Sequence, residues 1–145
     1  LSLMYAYTRT PTLPVGFVVG MSSPTDFLDP VFLTKATKEQ YGQLSQLVGV
    51  PVTKDTVDQR RSALESASPA FRVTAAAPPT ILAHGANDSV VPYSNALLLT
   101  AQLSAAGIPH ELLTYPNSDH NLADDPDINT RFLSLVLEYA ARYLE

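Results

Sequence analysis

Residues 79–122 constrain the fold more than any other stretch of the chain. They read strand, polar turn, helix, strand, polar turn: an apolar run at 80–83 (TILA) empties into HGANDSVVP, and a second run at 111–115 (ELLTY) empties into PNSDHNL. Two strands joined through one helix lie parallel, and the right-handed crossover returns the chain beside its starting strand. The two turns then sit at the same end of the sheet, where open α/β sheets place their sites. One turn carries Asp88 and the other His120. An acid and a histidine so placed can form the orienting half of a nucleophilic triad.

The remaining sequence supports an α/β domain. Its 145 residues suit one domain, enough to bury about two thirds of the surface of the unfolded chain. An apolar fraction of 46% with mixed charge fits a globular protein. The absence of cysteine removes disulfides and thiolate nucleophiles, and says little about compartment. The histidines, His84, His110 and His120, are scattered, so neither a metal nor a cofactor is expected. A net charge of -5 without any Lys/Arg run argues against a nucleic-acid partner. No apolar run approaches the roughly 20 residues of a membrane span, and LSLMYAYTRT lacks the basic leader of a signal peptide. The compartment is open; the reading leans to the cytoplasm, any preceding targeting segment being outside the sequence.

Along the chain, residues 1–8 have helical spacing and end at Arg9-Thr10-Pro11, because the residue before a proline leaves the helical region. Residues 13–19 (LPVGFVV) read as a parallel strand covered on both faces, with Gly16 permitting a close helix. The stretch 26–72 is expected to be a mostly helical insertion that covers a pocket or simply the sheet. Within it, Thr37-Lys38-Glu39-Gln40 fits a capping box and Gly49 a stop. A second helix is expected at 54–66, with Val57, Arg61 and Leu64 aligned and Ser68-Pro69 ending it. A helix after Pro92 runs to Ala106 with Gly107 as its cap. A last one starts near Pro126, with Asp124, Asp125 and Asp127 at its positive end and Ile128, Phe132, Leu135, Val136, Tyr139 and Tyr143 inward. The expected fold class is α/β: three parallel strands with flanking helices in a three-layer arrangement.

Asp88 on its own is an ordinary turn residue, its carboxylate bonded to nearby backbone. A loop histidine on its own is commonly exposed or structural. Together they support the orienting contact, with Asp88 accepting from Nδ1 of His120 so that Nε2 serves as base. Asp119 is the competing acid and reads as a solvated turn carboxylate, since adjacent side chains on one loop diverge. Ser22 and Ser23 follow a strand in GMSSP, but Pro24 stands where a nucleophile turn needs glycine. They read as turn or pocket wall, and Ser2 as a helix residue.

HGANDSVVP and YPNSDHNL resemble the acid and histidine loops of the α/β-hydrolase superfamily, in particular its small esterase/lipase and acyl-aminoacyl-peptidase-like branch. There the last three strands end in an SGPTD-like loop, an HGxxDxxVP loop and a GxxH loop. These correspond here to residues 21–26, 84–92 and 117–120, with Asn117 replacing the glycine, a mild departure because asparagine tolerates left-handed geometry. The resemblance covers nearly the whole chain. It implies Asp88 and His120 as catalytic residues and Met21, Ser22, Ser23, Val90 and Asn121 as pocket candidates. LSLMYAY resembles the helix that follows a GxSAGG nucleophile elbow, so the resemblance sets the elbow serine a few residues before Leu1, with one oxyanion donor just after that serine and the other on a loop further upstream. On that reading the chain is the C-terminal portion of a serine-type carboxyl-ester hydrolase acting on small esters, inactive alone. An open strand edge at 13–19 would be covered by a homodimer or an upstream segment. Leu144-Glu145 is a pair that expression vectors often leave. A peptidase of the same superfamily and a noncatalytic remnant or interaction module on the scaffold stand as alternatives.

Overall fold

The computed structural model describes residues 2–8 and 14–144. Leu1, the expected helix stop at Arg9-Thr10-Pro11, the expected strand start at Leu13, and Glu145 lie outside the described residues. Within them, strands β1 (Val18–Met21), β2 (Thr80–Gly85) and β3 (His110–Tyr115) form one parallel sheet in the order β1-β2-β3. Val18 stands beside Thr80, and Thr80 beside His110, so all three strands begin level and end at one edge. All six residues of β2 are buried, which is why its sequence runs apolar without alternation. Strand β1 lies further along the chain than the apolar pattern suggests. Val15 to Phe17 are half-buried yet outside the ladder, because packing of an apolar run does not require strand pairing.

Alternate residues of a strand face opposite sides of a sheet, and two apolar clusters follow from this. On one side, Val18, Leu82 and Leu112 pack with Leu3 and Tyr7 of helix α1 (Ser2–Thr8) and with Leu99 and Leu103 of helix α5 (Ser94–Ala105). On the other, Ala83, Leu113 and Tyr115 pack with Ile128, Phe132 and Leu135 of helix α6 (Pro126–Tyr143). The result is three parallel strands flanked by helices in three layers. Tyr7 also reaches the Thr80 hydroxyl at 3.0 Å; burial pushes its phenol up to about 12, with the Thr80 bond pulling the other way. Helix α6 returns across its face until the Tyr143 carbonyl crowds Gly16, where a Cβ would sit 2.3 Å from that oxygen. This is the close approach that the glycine permits.

Between β1 and β2 the chain is helical and builds a third apolar cluster of its own from Tyr41, Leu44, Val52 and Leu64, with Phe27 and Phe32 packed against it. Helix α3 (Lys38–Val48) has the expected capping box of Thr37 and Gln40, and Gly49 ends it at φ 72°. A short helix α2 (Pro30–Lys35), absent from the sequence reading, starts because buried Asp29 accepts from Val31 N–H and Phe32 N–H and Pro30 occupies the first turn. The helix expected from residue 54 forms later, as a 3-10 turn at Asp58–Arg60 and helix α4 (Arg61–Ala67). The Thr53 N–H and hydroxyl both bond the Thr56 hydroxyl, so these threonines fold a turn first. Helix α5 begins at Ser94, two residues after Pro92.

Candidate active site

Strand β2 ends in Gly85, and the chain turns back at Asp88, whose N–H donates to the Gly85 carbonyl. The Asp88 side chain is fully buried. Its Oδ1 accepts from Val90 N–H at 2.9 Å and Val91 N–H at 2.8 Å, the local turn bonds expected of an aspartate here. Its Oδ2 lies 2.9 Å from Nδ1 of His120. A carboxylate oxygen accepts, so Nδ1 carries the proton and, in the neutral ring, Nε2 is the free acceptor. The His120 side chain is 43% exposed, and its free edge is accessible.

The sequence reading gave His84 no part in this arrangement. It is 2% exposed, and its Nε2 stands 3.2 Å from the same Asp88 Oδ2 and 3.0 Å from the Val91 carbonyl. The Val91 carbonyl accepts, so Nε2 carries the proton and donates to it, with the Asp88 oxygen alongside. Asp88 therefore accepts three N–H groups, two from backbone and one from His120, which fix its plane. The four-residue spacing across the turn was the signal for this contact.

The histidine loop is held from two sides. The Asn117 N–H and amide and the Ser118 hydroxyl all donate to buried Asp125 at the start of α6. Burial would raise the Asp125 carboxyl, but these bonds outweigh it and hold it below the usual carboxylate range. Asn117 thus serves through its amide, and the left-handed residue of this loop is Leu122 at φ 57°. Asp119 is no merely solvated turn acid. It accepts from the Ser89 N–H and hydroxyl and from its neighbour His120 N–H, and these donors hold its carboxyl low. It clamps the acid loop to the histidine loop. At Gly85 an added Cβ would stand 2.4 Å from the Ser118 carbonyl oxygen, so only glycine lets the loops approach this closely.

Ser22 is buried with φ 42°, and its hydroxyl donates to the His120 carbonyl at 2.8 Å, not to the ring. The Ser23 hydroxyl donates to the Met21 carbonyl, and Ser23 lines a cavity with Leu3 and Met4 of α1. Val90, 45% exposed, lines a cavity of about 290 Å³ between the acid loop and α3. Met21 and Asn121 are exposed, and the Asn121 side chain accepts from Ala123 N–H. Among the described residues no cluster of three or more His, Asp or Glu side chains could hold a metal ion, and no helix is long and apolar enough to cross a membrane.

Three parallel strands in a three-layer sandwich, with an acid and a histidine meeting beyond their carboxyl ends, form a segment of the general α/β-hydrolase fold. Residues 22–145 match the prolyl oligopeptidase family, and the chain belongs to it. No curated protein sequence matches the chain. Among solved structures it resembles an acetyl ester-xyloside bifunctional hydrolase from Caldicellulosiruptor lactoaceticus, with TM-score 0.63 and 21% identity, over 97% of this chain and 51% of that one. A carboxylesterase from Lactobacillus plantarum matches with TM-score 0.61 and 16% identity, over 88% of this chain and 44% of that one. A thermophilic esterase from Thermogutta terrifontis matches with TM-score 0.60 and 16% identity, over 93% and 47%. The chain spans about half the length of each.

Proposed function

We propose that this chain carries the acid and the base of a serine-type carboxyl-ester hydrolase of the small carboxylesterase and acyl-aminoacyl-peptidase-like branch. The observation that carries the reading is the 2.9 Å contact between His120 Nδ1 and buried Asp88, with the opposite edge of the ring free. The nucleophile is a serine on polypeptide preceding Leu1. Among the described residues no serine hydroxyl is bonded to His120 Nε2, and that of Ser22 is engaged by backbone. In the assembled site His120 Nε2 takes the serine proton as the oxygen attacks the ester carbonyl. The ring then returns the proton to the departing alkoxide, and Asp88 stabilises the imidazolium. Water, deprotonated by the same nitrogen, releases the acid and restores the serine. The helical stretch 26–72 roofs the substrate, and the outer edge of β1 is covered by preceding strands or by a second copy of the chain.

The test is p-nitrophenyl acetate turnover with serine-directed phosphonate labelling. Residues 1–145 alone should show no more than trace turnover and no stoichiometric adduct, because on this reading the nucleophile and the oxyanion donors belong to the preceding polypeptide. A longer product should label on a serine before Leu1, and Asp88→Asn should lower its kcat on the order of 10⁴-fold. A stoichiometric adduct on Ser22 with matching loss of rate would move the nucleophile into this chain. Membership of the prolyl oligopeptidase family favours a second reading, a peptidase using the same pair. A longer product that cleaves peptide p-nitroanilides faster than matched esters would select it.

A further inference from the structure

Ser22 follows β1 directly and takes a positive φ of 42°, a region that disfavours any residue with a side chain and that glycine would occupy freely. Such strain persists where surrounding contacts over-determine it, and it clusters at functional sites. Two contacts hold Ser22 there. Its N–H donates to the Ala83 carbonyl at 2.8 Å, which pins the end of β1 to β2. Its hydroxyl, on a residue only 6% exposed, donates to the His120 carbonyl at 2.8 Å. On the other side of the same histidine, the His120 N–H donates to Asp119 Oδ1 at 2.6 Å, and Asp119 is bonded in turn to Ser89 of the acid loop. Both main-chain groups of His120 are thus tied, the N–H toward the loop after β2 and the carbonyl toward the loop after β1. The ring is held less firmly. Its side chain is 43% exposed, and among the described residues its one hydrogen bond runs from Nδ1 to Asp88. Where the ring points therefore depends on where the backbone is placed.

We propose that Ser22 is a positioning residue for His120. The hydroxyl fixes the peptide plane between His120 and Asn121, so that Nδ1–H meets Asp88 and Nε2 remains the free acceptor. The left-handed backbone at the end of β1 is what aims the hydroxyl at that carbonyl. A glycine would make the same turn without strain, and the hydroxyl is what serine adds. Ser22 does not bond the ring and acts through the histidine backbone. In its consequence for turnover the inference rests on the hydrolase reading; in its consequence for the His120 tautomer it does not.

The test reads the tautomer of His120 from its ring nitrogen chemical shifts at about pH 9, above the ordinary histidine range. It needs no nucleophile, so residues 1–145 suffice. The unsubstituted chain should hold the Nδ1–H form. Ser22→Ala removes the donor and should lower the ratio of the Nδ1–H form to the Nε2–H form about fivefold, the effect of one ordinary hydrogen bond. Ser22→Gly removes the donor while relieving the backbone, so it reads the same ratio in a fold free of that strain, and the fall should be at least as large. Gly107→Ala is the control. It sets a side chain at φ 69° in open space ahead of β3, at the end of the sheet where the strands begin, so it strains the fold away from the loops and should leave the ratio unchanged. In a longer product that turns over p-nitrophenyl acetate, Ser22→Ala should lower kcat about tenfold through misplacement of the base, with KM within about twofold. A ratio unchanged in both Ser22 variants, or one that falls equally in Gly107→Ala, would overturn the inference, as would a kcat indifferent to Ser22→Ala. A shifted tautomer in a protein without ester turnover at any length would leave the positioning standing while the hydrolase reading fell.

Discussion

At the scale of single residues, the candidate site rests on charges held by hydrogen bonds, and Asp125 is the one whose pH dependence can be read out. Its carboxyl lies below the usual value in the folded chain, so its contribution to stability is complete above the unfolded pKa of about 3.9. That contribution is lost as pH falls through the lower, folded value, when the bonds from Asn117 and Ser118 must be remade to a neutral acid. Asp125→Asn should therefore lower Tm at pH 7, and the gap between wild type and variant should narrow toward pH 3. A gap independent of pH would mean that the carboxylate charge plays no part in holding the histidine loop. Residues of this kind were the least legible in the sequence. Asp88 and His120 stood out because a single helix and strand separate two polar turns. Asp125 was legible only as a favourable charge at a helix start, and His84 only as part of a motif. Their partners come from folds of the loop that no periodicity records.

At the scale of elements, the end of β2 and the loop after β3 meet by close backbone approach. Gly85 is the point of contact: an added Cβ would meet the carbonyl oxygens of both Ser118 and Asp119. Gly85→Ala should push the histidine loop off the end of β2 and cost roughly 1–3 kcal/mol, lowering the midpoint of denaturant unfolding. The same variant should lose the exchange-protected Nδ1–H signal of His120 by NMR, and an unchanged signal would show that the loops yield without parting. Away from the site, Thr37 closes a two-way capping box on α3, and Thr37→Ala should cost about 1 kcal/mol by the same unfolding measurement. The start of α3 was legible because a capping box is local chemistry. Helix α2 was not, although its Asp29-Pro30 start is local too, because six residues are too few for an apolar period to show. Strand β1 was misplaced toward its N-terminus because an apolar run reports burial and is silent about which residues pair.

At the scale of the whole molecule, the sheet has two edges, and they are unlike. Among the described residues strand β3 also pairs only with β2, but it carries His110 and the exposed charge of Glu111, while α6 packs Ile128 and Phe132 on the face of Leu113 and Tyr115. Among the described residues strand β1 pairs with β2 alone, so one row of its backbone N–H and carbonyl groups has no strand partner there. Nothing on that strand discourages pairing: Val18, Val19, Gly20 and Met21 include no charge and no proline. Apolar side chains are exposed elsewhere too, among them Tyr5 on α1 and Leu133 and Leu137 on α6, the last 71% exposed. Residues 1–145 on their own should therefore self-associate through β1. A two-fold pair would set the two β1 strands antiparallel and satisfy both rows at once. Light scattering at micromolar concentration should report a dimer, and a proline at Val19 should shift it toward monomer by blocking the ladder. A monodisperse monomer of the unsubstituted chain would sink edge pairing. In a longer product the same edge should be occupied by preceding strands, so adding that segment should abolish the dimer and, on the hydrolase reading, restore ester turnover in the same sample.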